Sequence, residues 1–309
     1  MEQYSVLMPV YYKEHPEYFE ASIQSMLFQS IRTDDFVIVC DGPLTAELDG
    51  VIRRFTEEYP ELFRIVRLRE NRGLGIALQE GISACRHELI ARMDSDDISV
   101  PERCEKQLAV FAQKDVAIVG GNVDEFTDAP FGYSVMPFGR KEETSSGHNS
   151  MPFGGKEETL SGRAERDAGK SGAVRRVPET DDEIRLFAKR RNPFNHPSVM
   201  FRKSAVQKAG GYMDAKGFED YYLWVRMLKL GMMGYNIQEI LVHMRTDAGM
   251  YERRGSLSYA VLGLRARWRI YRTGYSGIMD FLISAGGQIV MSLIPVKLRT
   301  WFYGKFLRK

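Results

Sequence analysis

The chain has 309 residues, 44% hydrophobic and 27% charged, with a formal net charge of +2. That is enough apolar material for one large domain or two moderate ones, and it excludes a disordered or fibrous chain. Three widely spaced cysteines, odd in number and set in apolar segments, exclude a disulfide framework or a zinc site and point to buried thiols in a reducing compartment.

The N-terminal residues lack the basic and apolar regions of a signal peptide, so a cytoplasmic location is expected. Strand patterns cover residues 5–10, 36–40, 63–68, 88–93 and 116–119. Helical stripes lie between them, one made by Phe19, Ile23, Met26 and Leu27 and another by Leu74, Leu78 and Ile82. Apolar strands alternating with helices spell βαβ units and a mostly parallel sheet covered on both faces. In such α/β sheets ligands sit beyond the carboxyl ends of the strands. Tyr11, Asp41 and Asp94 all fall there, which argues for one cleft.

Asp94-Ser95-Asp96-Asp97 follows an apolar run. Carboxylates crowded at the end of a buried strand repel one another and need a cation or strong donors nearby. Mg²⁺ or Mn²⁺ suits them, and such metals usually arrive with a phosphate as co-ligand. The plain alternative is a turn whose aspartates cap the next helix. Ser99 and Glu102 do resemble a capping box for a helix from about Pro101. An EF-hand is excluded, because Ser99 stands where that loop needs glycine.

Asp41-Gly42-Pro43 is either a plain turn or a carboxylate presented to a nucleobase edge. Asn71-Arg72-Gly73-Leu74-Gly75 precedes a helix, where free N–H groups and an arginine favour phosphate. It is neither a Walker loop nor a dinucleotide fingerprint. Residues 127–178 contain a duplication, with Met136-Pro-Phe-Gly recurring as Met151-Pro-Phe-Gly 15 residues later. Two short copies cannot build a solenoid, and their Gly, Ser, Glu and Lys content suits a mobile surface insertion.

Beyond the insertion, helices are expected at 183–191 and 220–230, with a short strand at 198–201. Tyr221, Trp224, Val225 and Leu228 form the buried stripe of the second helix. Glu219-Asp220 opens it, either offsetting the helix dipole or supplying a general base at a cleft rim. Asn195-His196-Pro197 could line the same cavity, while His243, Arg245, Arg253 and Arg254 offer a basic rim for a pyrophosphate. From Tyr259 to the last residue there are nine Lys or Arg and one Asp, a net of about +8 against about −6 for the remainder. This basic tail suggests an anionic surface, membrane or nucleic acid. Its uncharged run at 281–296 is either an interfacial or re-entrant segment or an ordinary buried helix pair, the flanking basic and aromatic residues favouring the membrane surface.

The chain resembles the family 2 glycosyltransferases of bacterial exopolysaccharide, capsule or lipopolysaccharide synthesis. The resemblance rests on residues 5–14, Asp41-Gly42, residues 71–75, 91–97, 195–201 and 218–224 in that order and spacing. It implies a GT-A (Rossmann-like) fold, a nucleotide-sugar donor, with a UDP-sugar expected, and inversion at the anomeric carbon. It covers residues 4–126, the donor half of a division at 1–126, and 178–255, the acceptor half. The insertion at 127–178 departs from the family pattern, and composition makes 256–309 a membrane-associating helical tail. Tyr11 and Asp41 would contact the nucleobase, with Pro9, Asn71, Arg72, His196 and Arg245 also on the substrate. Asp94 would face ribose and metal, and Asp96 would hold the Mn²⁺ or Mg²⁺ that bridges the diphosphate. Asp220, with Glu219 beside it, would take the proton of the acceptor hydroxyl. The acceptor would be a glycan or polyprenyl-linked sugar at the inner membrane face, with no role for nucleic acid. The rival readings are a nucleotidyltransferase, whose Gly-rich basic loop is missing near the first strand, and an inactive glycan- or partner-binding module.

Overall fold

A computed structural model describes residues 2–127, 172–213, 215–246 and 256–294. The chain opens with β1 (Tyr4–Val10), α1 (Pro16–Leu27), β2 (Asp35–Cys40), α2 (Ala46–Glu58), β3 (Phe63–Arg67), α3 (Leu74–Ala84) and β4 (Leu89–Arg92). A short β5 (Ile98–Ser99), α4 (Arg103–Gln113) and β6 (Ile118–Phe126) follow. After the insertion come α5 (Asp181–Ala188), β7 (Met200–Arg202), α6 (Lys203–Lys208), α7 (Glu219–Lys229), β8 (Gly234–Arg245), α8 (Leu257–Arg272) and α9 (Ile278–Leu293). The duplicated segment, Arg253 and Arg254, and the tail from 295 lie outside the described residues.

The strands make one sheet in the order β3-β2-β1-β4-β7-β6-β8-β5. Pairings from β3 to β4 are all parallel, and β7 enters antiparallel between β4 and β6. The chain leaves β1 toward β2 and β3, then returns to place β4 on the other side of β1. A crevice opens where strand order reverses in this way. Only residues 93–97 join β4 to β5, although three strands lie between them in the sheet. The far edge therefore curls back over β4, and Arg245 at the end of β8 stacks on Tyr18 of α1 at 3.7 Å.

Strand residues alternate between two cores. Val6, Met8, Phe36 and Ile38 pack with α1, α2 and α4, while Leu7, Val37 and Val39 pack with α3, α5, α6 and α7. Burial on both faces is why these strands read as continuous apolar runs. Local chemistry sets the helix starts: Pro16 opens α1, Thr45 accepts the Leu48 N–H at α2, and Thr180 with Glu183 forms a capping box at α5.

Four expectations need correction. Ser99 lies in β5, hydrogen-bonded to Gln29, and Glu102 precedes α4 without a side-chain cap, so the capping box is absent. The strand at 116–119 continues to Phe126, because β8 pairs with it along its polar half, and the Asn122 side chain accepts the Val177 N–H. The strand at 198–201 starts later, since His196–Ser198 forms a 3₁₀ turn. The helix placed at 183–191 ends at Ala188.

Candidate active site

The carboxyl end of β4 carries the acidic run. Arg92, 1% exposed within the strand, donates from both amino groups to the two oxygens of Asp94, one at 2.6 Å. Ser95 donates to Glu14 at 2.6 Å, and Ser22 donates to the Asp94 carbonyl at 2.7 Å, which ties the run to the segment after β1. Asp97 is buried. One of its oxygens accepts the Arg245 N–H at 2.8 Å, and the other has no protein partner. Arg245 also donates from Nε to the Asp96 carbonyl at 3.0 Å.

Half-buried Asp96 is crowded. Loss of water, then the charges of Asp94 and Glu14, push its carboxyl up to about 7. Its ionised form thus costs stability, since the gain from holding the proton is full below the ordinary carboxylate range and is lost as pH rises through about 7. A cation that binds the ionised form reverses that loss.

On the β2 side, Asp41 accepts the backbone N–H groups of Arg72 at 2.7 Å and Gly73 at 2.9 Å, while Asn71 donates to its carbonyl. This clamps residues 71–73 against the turn. Gly42, with φ +88°, allows the approach, because a Cβ there would stand 2.6 Å from the Asn71 nitrogen. Tyr11 and Tyr12 lie exposed at the end of β1, whereas Pro9 is buried within it. The loop leads into α3, where a Cβ on Gly75 would meet Glu219 Cγ at 3.0 Å. The Gly-rich loop and the acidic start of α7 are therefore neighbours.

Asp220 accepts the Asn192 amide at 2.6 Å. Desolvation raises its carboxyl above the usual range, against the lowering effects of the Tyr221 backbone, Asn192, Arg175 and Arg92. His196 bonds Tyr212 Oη at 2.8 Å, and burial with the nearby Arg92 cation holds its imidazole well below the usual value, so it is neutral at pH 7. Trp224, fully buried, packs edge-on against both rings and fixes them. Tyr212 feels the charges of Arg92, Asp220, Asp94 and Glu219 together, and burial pushes its phenol up. Arg92 is thus the shared neighbour of acids 126 residues apart in sequence, Asp94 and Asp220.

The chain matches the model of the glycosyl transferase family 2 over residues 5–177. The chain belongs to that family. This glycosyltransferase is 32% identical over 311 residues to the UDP-Gal:alpha-D-GlcNAc-diphosphoundecaprenol beta-1,3-galactosyltransferase of Escherichia coli, covering 99% of this chain and 97% of that one. It is 33% identical over 307 residues to an amylovoran biosynthesis glycosyltransferase of Erwinia amylovora, covering 98% of each. A mannosyltransferase from Pyrobaculum calidifontis, solved with GDP-Man and Mn²⁺, shares the GT-A fold with a TM-score of 0.56 at 14% identity, over 97% of this chain and 83% of that one.

Among the glycosyltransferase's described residues, no group of three or more His, Cys, Asp or Glu side chains is arranged to hold a metal by itself. Mg²⁺ and Mn²⁺ sites that lean on substrate phosphates need only one or two carboxylates, and Asp96 has the donor chemistry and the unbalanced charge for that. Of the residues expected from sequence, Asp94, Asp96 and Arg245 meet at the curled edge, while Asp41, Asn71 and Arg72 form the clamped loop. Glu219 lies against Gly75, just after that loop, and Asp220 and His196 both feel the charge of Arg92. Glu14, Arg92, Asn192 and Tyr212 were not foreseen as parts of the site. Only Arg92 carried a signal, a charge inside an otherwise apolar strand.

Proposed function

We infer that this glycosyltransferase moves a sugar from a nucleotide-diphosphate donor, a UDP-sugar, to a hydroxyl of a glycan or lipid-linked acceptor, with inversion and with a divalent metal. The observation that carries this reading is the convergence of the β4 acids and the α7 acids around Arg92. Asp41 and Tyr11 bind the base, and the N-terminus of α3 with Arg72 and Arg245 faces the diphosphate, where free N–H groups and guanidinium are favourable. Asp96, with Asp94 beside it, would hold Mn²⁺ or Mg²⁺. When bound, the metal neutralises charge on the departing diphosphate.

Asp220 acts as base. The acceptor oxygen forms its bond to the anomeric carbon and gives its proton to the Asp220 carboxylate, while the bond to the diphosphate oxygen breaks and its electron pair leaves with the nucleotide. Asn192 orients that carboxylate, and neutral His196 with Tyr212 lines the sugar pocket without adding charge. Inversion requires the acceptor oxygen to attack from the side opposite the leaving diphosphate, and Asp220 is the carboxylate assigned to that side.

A panel of nucleotide sugars, each with Mn²⁺ and with chelator, tests the reading through thermal stabilisation. A UDP-sugar with metal is expected to raise the melting temperature; at 100 times its Kd the gain is about 2.7 kcal/mol. Stabilisation by no nucleotide sugar under any condition would contradict it.

A further inference from the structure

The last two helices among the described residues form a hairpin. Gly263 of α8 lies against Gln288 of α9, and Tyr271 of α8 meets Phe281 of α9 at 5.4 Å. The Asp280–Arg190 pair, at 2.7 Å, ties α9 to the enzyme body. The outward face of α9 carries Ile278, Met279, Leu282, Ile283, Val290 and Leu293, each between 48% and 63% exposed. Gly286 and Gly287 complete it, so no charge interrupts a stripe that runs the length of the helix. Apolar faces of this extent mark interaction sites. The exposed side of α8 adds Arg265, Arg269 and Arg272 beside a half-exposed Trp268.

We propose that this two-helix face docks on an anionic lipid bilayer, with the α9 stripe at the boundary of headgroups and acyl chains and the α8 arginines on lipid phosphates. No helix among the described residues is long and apolar enough to cross a membrane. At 1.5 Å per residue, α9 measures about 24 Å against a hydrocarbon core of about 30 Å. It suits lying in the interface, where apolar burial and basic flanks add. Charge selects lipid over a second copy of the chain. The two helices carry four Arg and one Asp, the latter paired with Arg190, so a self-contact would oppose like charges, whereas anionic headgroups complement them.

The face also adjoins the catalytic wall. Tyr259 and Arg267 of α8 each lie 5.6 Å from the ring of Phe218, the residue before Glu219 and Asp220. Docking would hold those acids near the bilayer, where the sugar of a lipid-linked acceptor stands. That last link rests on the proposed function, whereas the docking does not.

The test is flotation of the full chain with phosphatidylcholine vesicles, with and without one-third phosphatidylglycerol, at low salt. The wild type should float with the anionic vesicles. The Leu282→Glu/Val290→Glu double variant should lose at least about tenfold in partitioning, each side chain being worth about that much when buried. Arg265→Glu/Arg272→Glu, or added salt, should weaken the anionic preference. Wild type that stays unbound, or an apolar variant that floats unchanged, would overturn the proposal. So would a dimer that the apolar variant splits without any vesicle binding. Transfer to a soluble acceptor analogue separates the two ideas: transfer without flotation sinks the docking alone, and flotation without transfer to any sugar acceptor sinks the proposed function alone.

Discussion

Asp220→Asn should lower kcat by about 10²–10⁴-fold, the contribution of a positioned general base, while leaving nucleotide affinity close to that of the wild type. The change keeps the side-chain shape and a carbonyl oxygen for the Asn192 amide. It should not destabilise the fold. Burial raises the Asp220 carboxyl, so its stabilising proton is lost as pH rises, and at neutral pH the ionised group is a cost that asparagine removes. Its charge at the start of α7 offsets the helix dipole by only about 0.3–1 kcal/mol. A melting temperature equal to or above the wild type, with transfer lost, is the expected pair of results. Activity within about tenfold of the wild type would show that another group takes the proton. Glu219→Gln, at the packing contact with Gly75, should have the smaller effect on kcat.

Arg92→Met should cost about 3 kcal/mol of stability. Removing one partner of a buried ion pair costs about 3–5 kcal/mol, and the low end applies because the Asp94 side chain keeps 31% exposure and water can reach it. The side chain of Arg92 is 1% exposed, and its cation balances Asp94 directly and Asp97 and Asp220 at longer range. Arg92→Lys should recover only part of the loss, since a point charge cannot reproduce the two-pronged contact. Pairing Arg92→Met with Asp94→Asn should restore most of the stability, because the orphaned charge of the direct pair goes with its partner and only the longer-range balance of Asp97 and Asp220 stays lost. Chemical denaturation reads all three. A single-variant loss below about 1 kcal/mol would show that the cation does not organise the site.

The parallel half of the fold was legible because its strands are buried on both faces, so β1 and β2 appear as near-continuous apolar runs and β4 as an apolar run that ends on Arg92. The acidic run after β4 and the acids opening α7 were legible for a similar reason: charge directly after apolar sequence is conspicuous. What could not be read was pairing. Gly120, Gly121 and Asn122 break the apolar run of β6, and pairing with β8, more than 110 residues later, carries the strand on to Phe126. Ser99 looked like a helix cap because a two-residue strand has no periodicity. Glu14, Asn192 and Tyr212 join the site through contacts 16 to 81 residues apart, which no local pattern encodes.

Calorimetric titration of UDP into the enzyme, with Mn²⁺ and with chelator, across pH 5.5 to 8, tests the central claim most directly. Asp96 holds its proton up to about 7. Metal-dependent affinity should therefore fall about tenfold per pH unit below that point and level off above it, as proton and metal compete for one carboxylate. Asp96→Asn should abolish both the metal requirement and this pH dependence. Equal affinity with Mn²⁺ and with chelator in the wild type, unchanged across that range and in Asp96→Asn, would contradict the account.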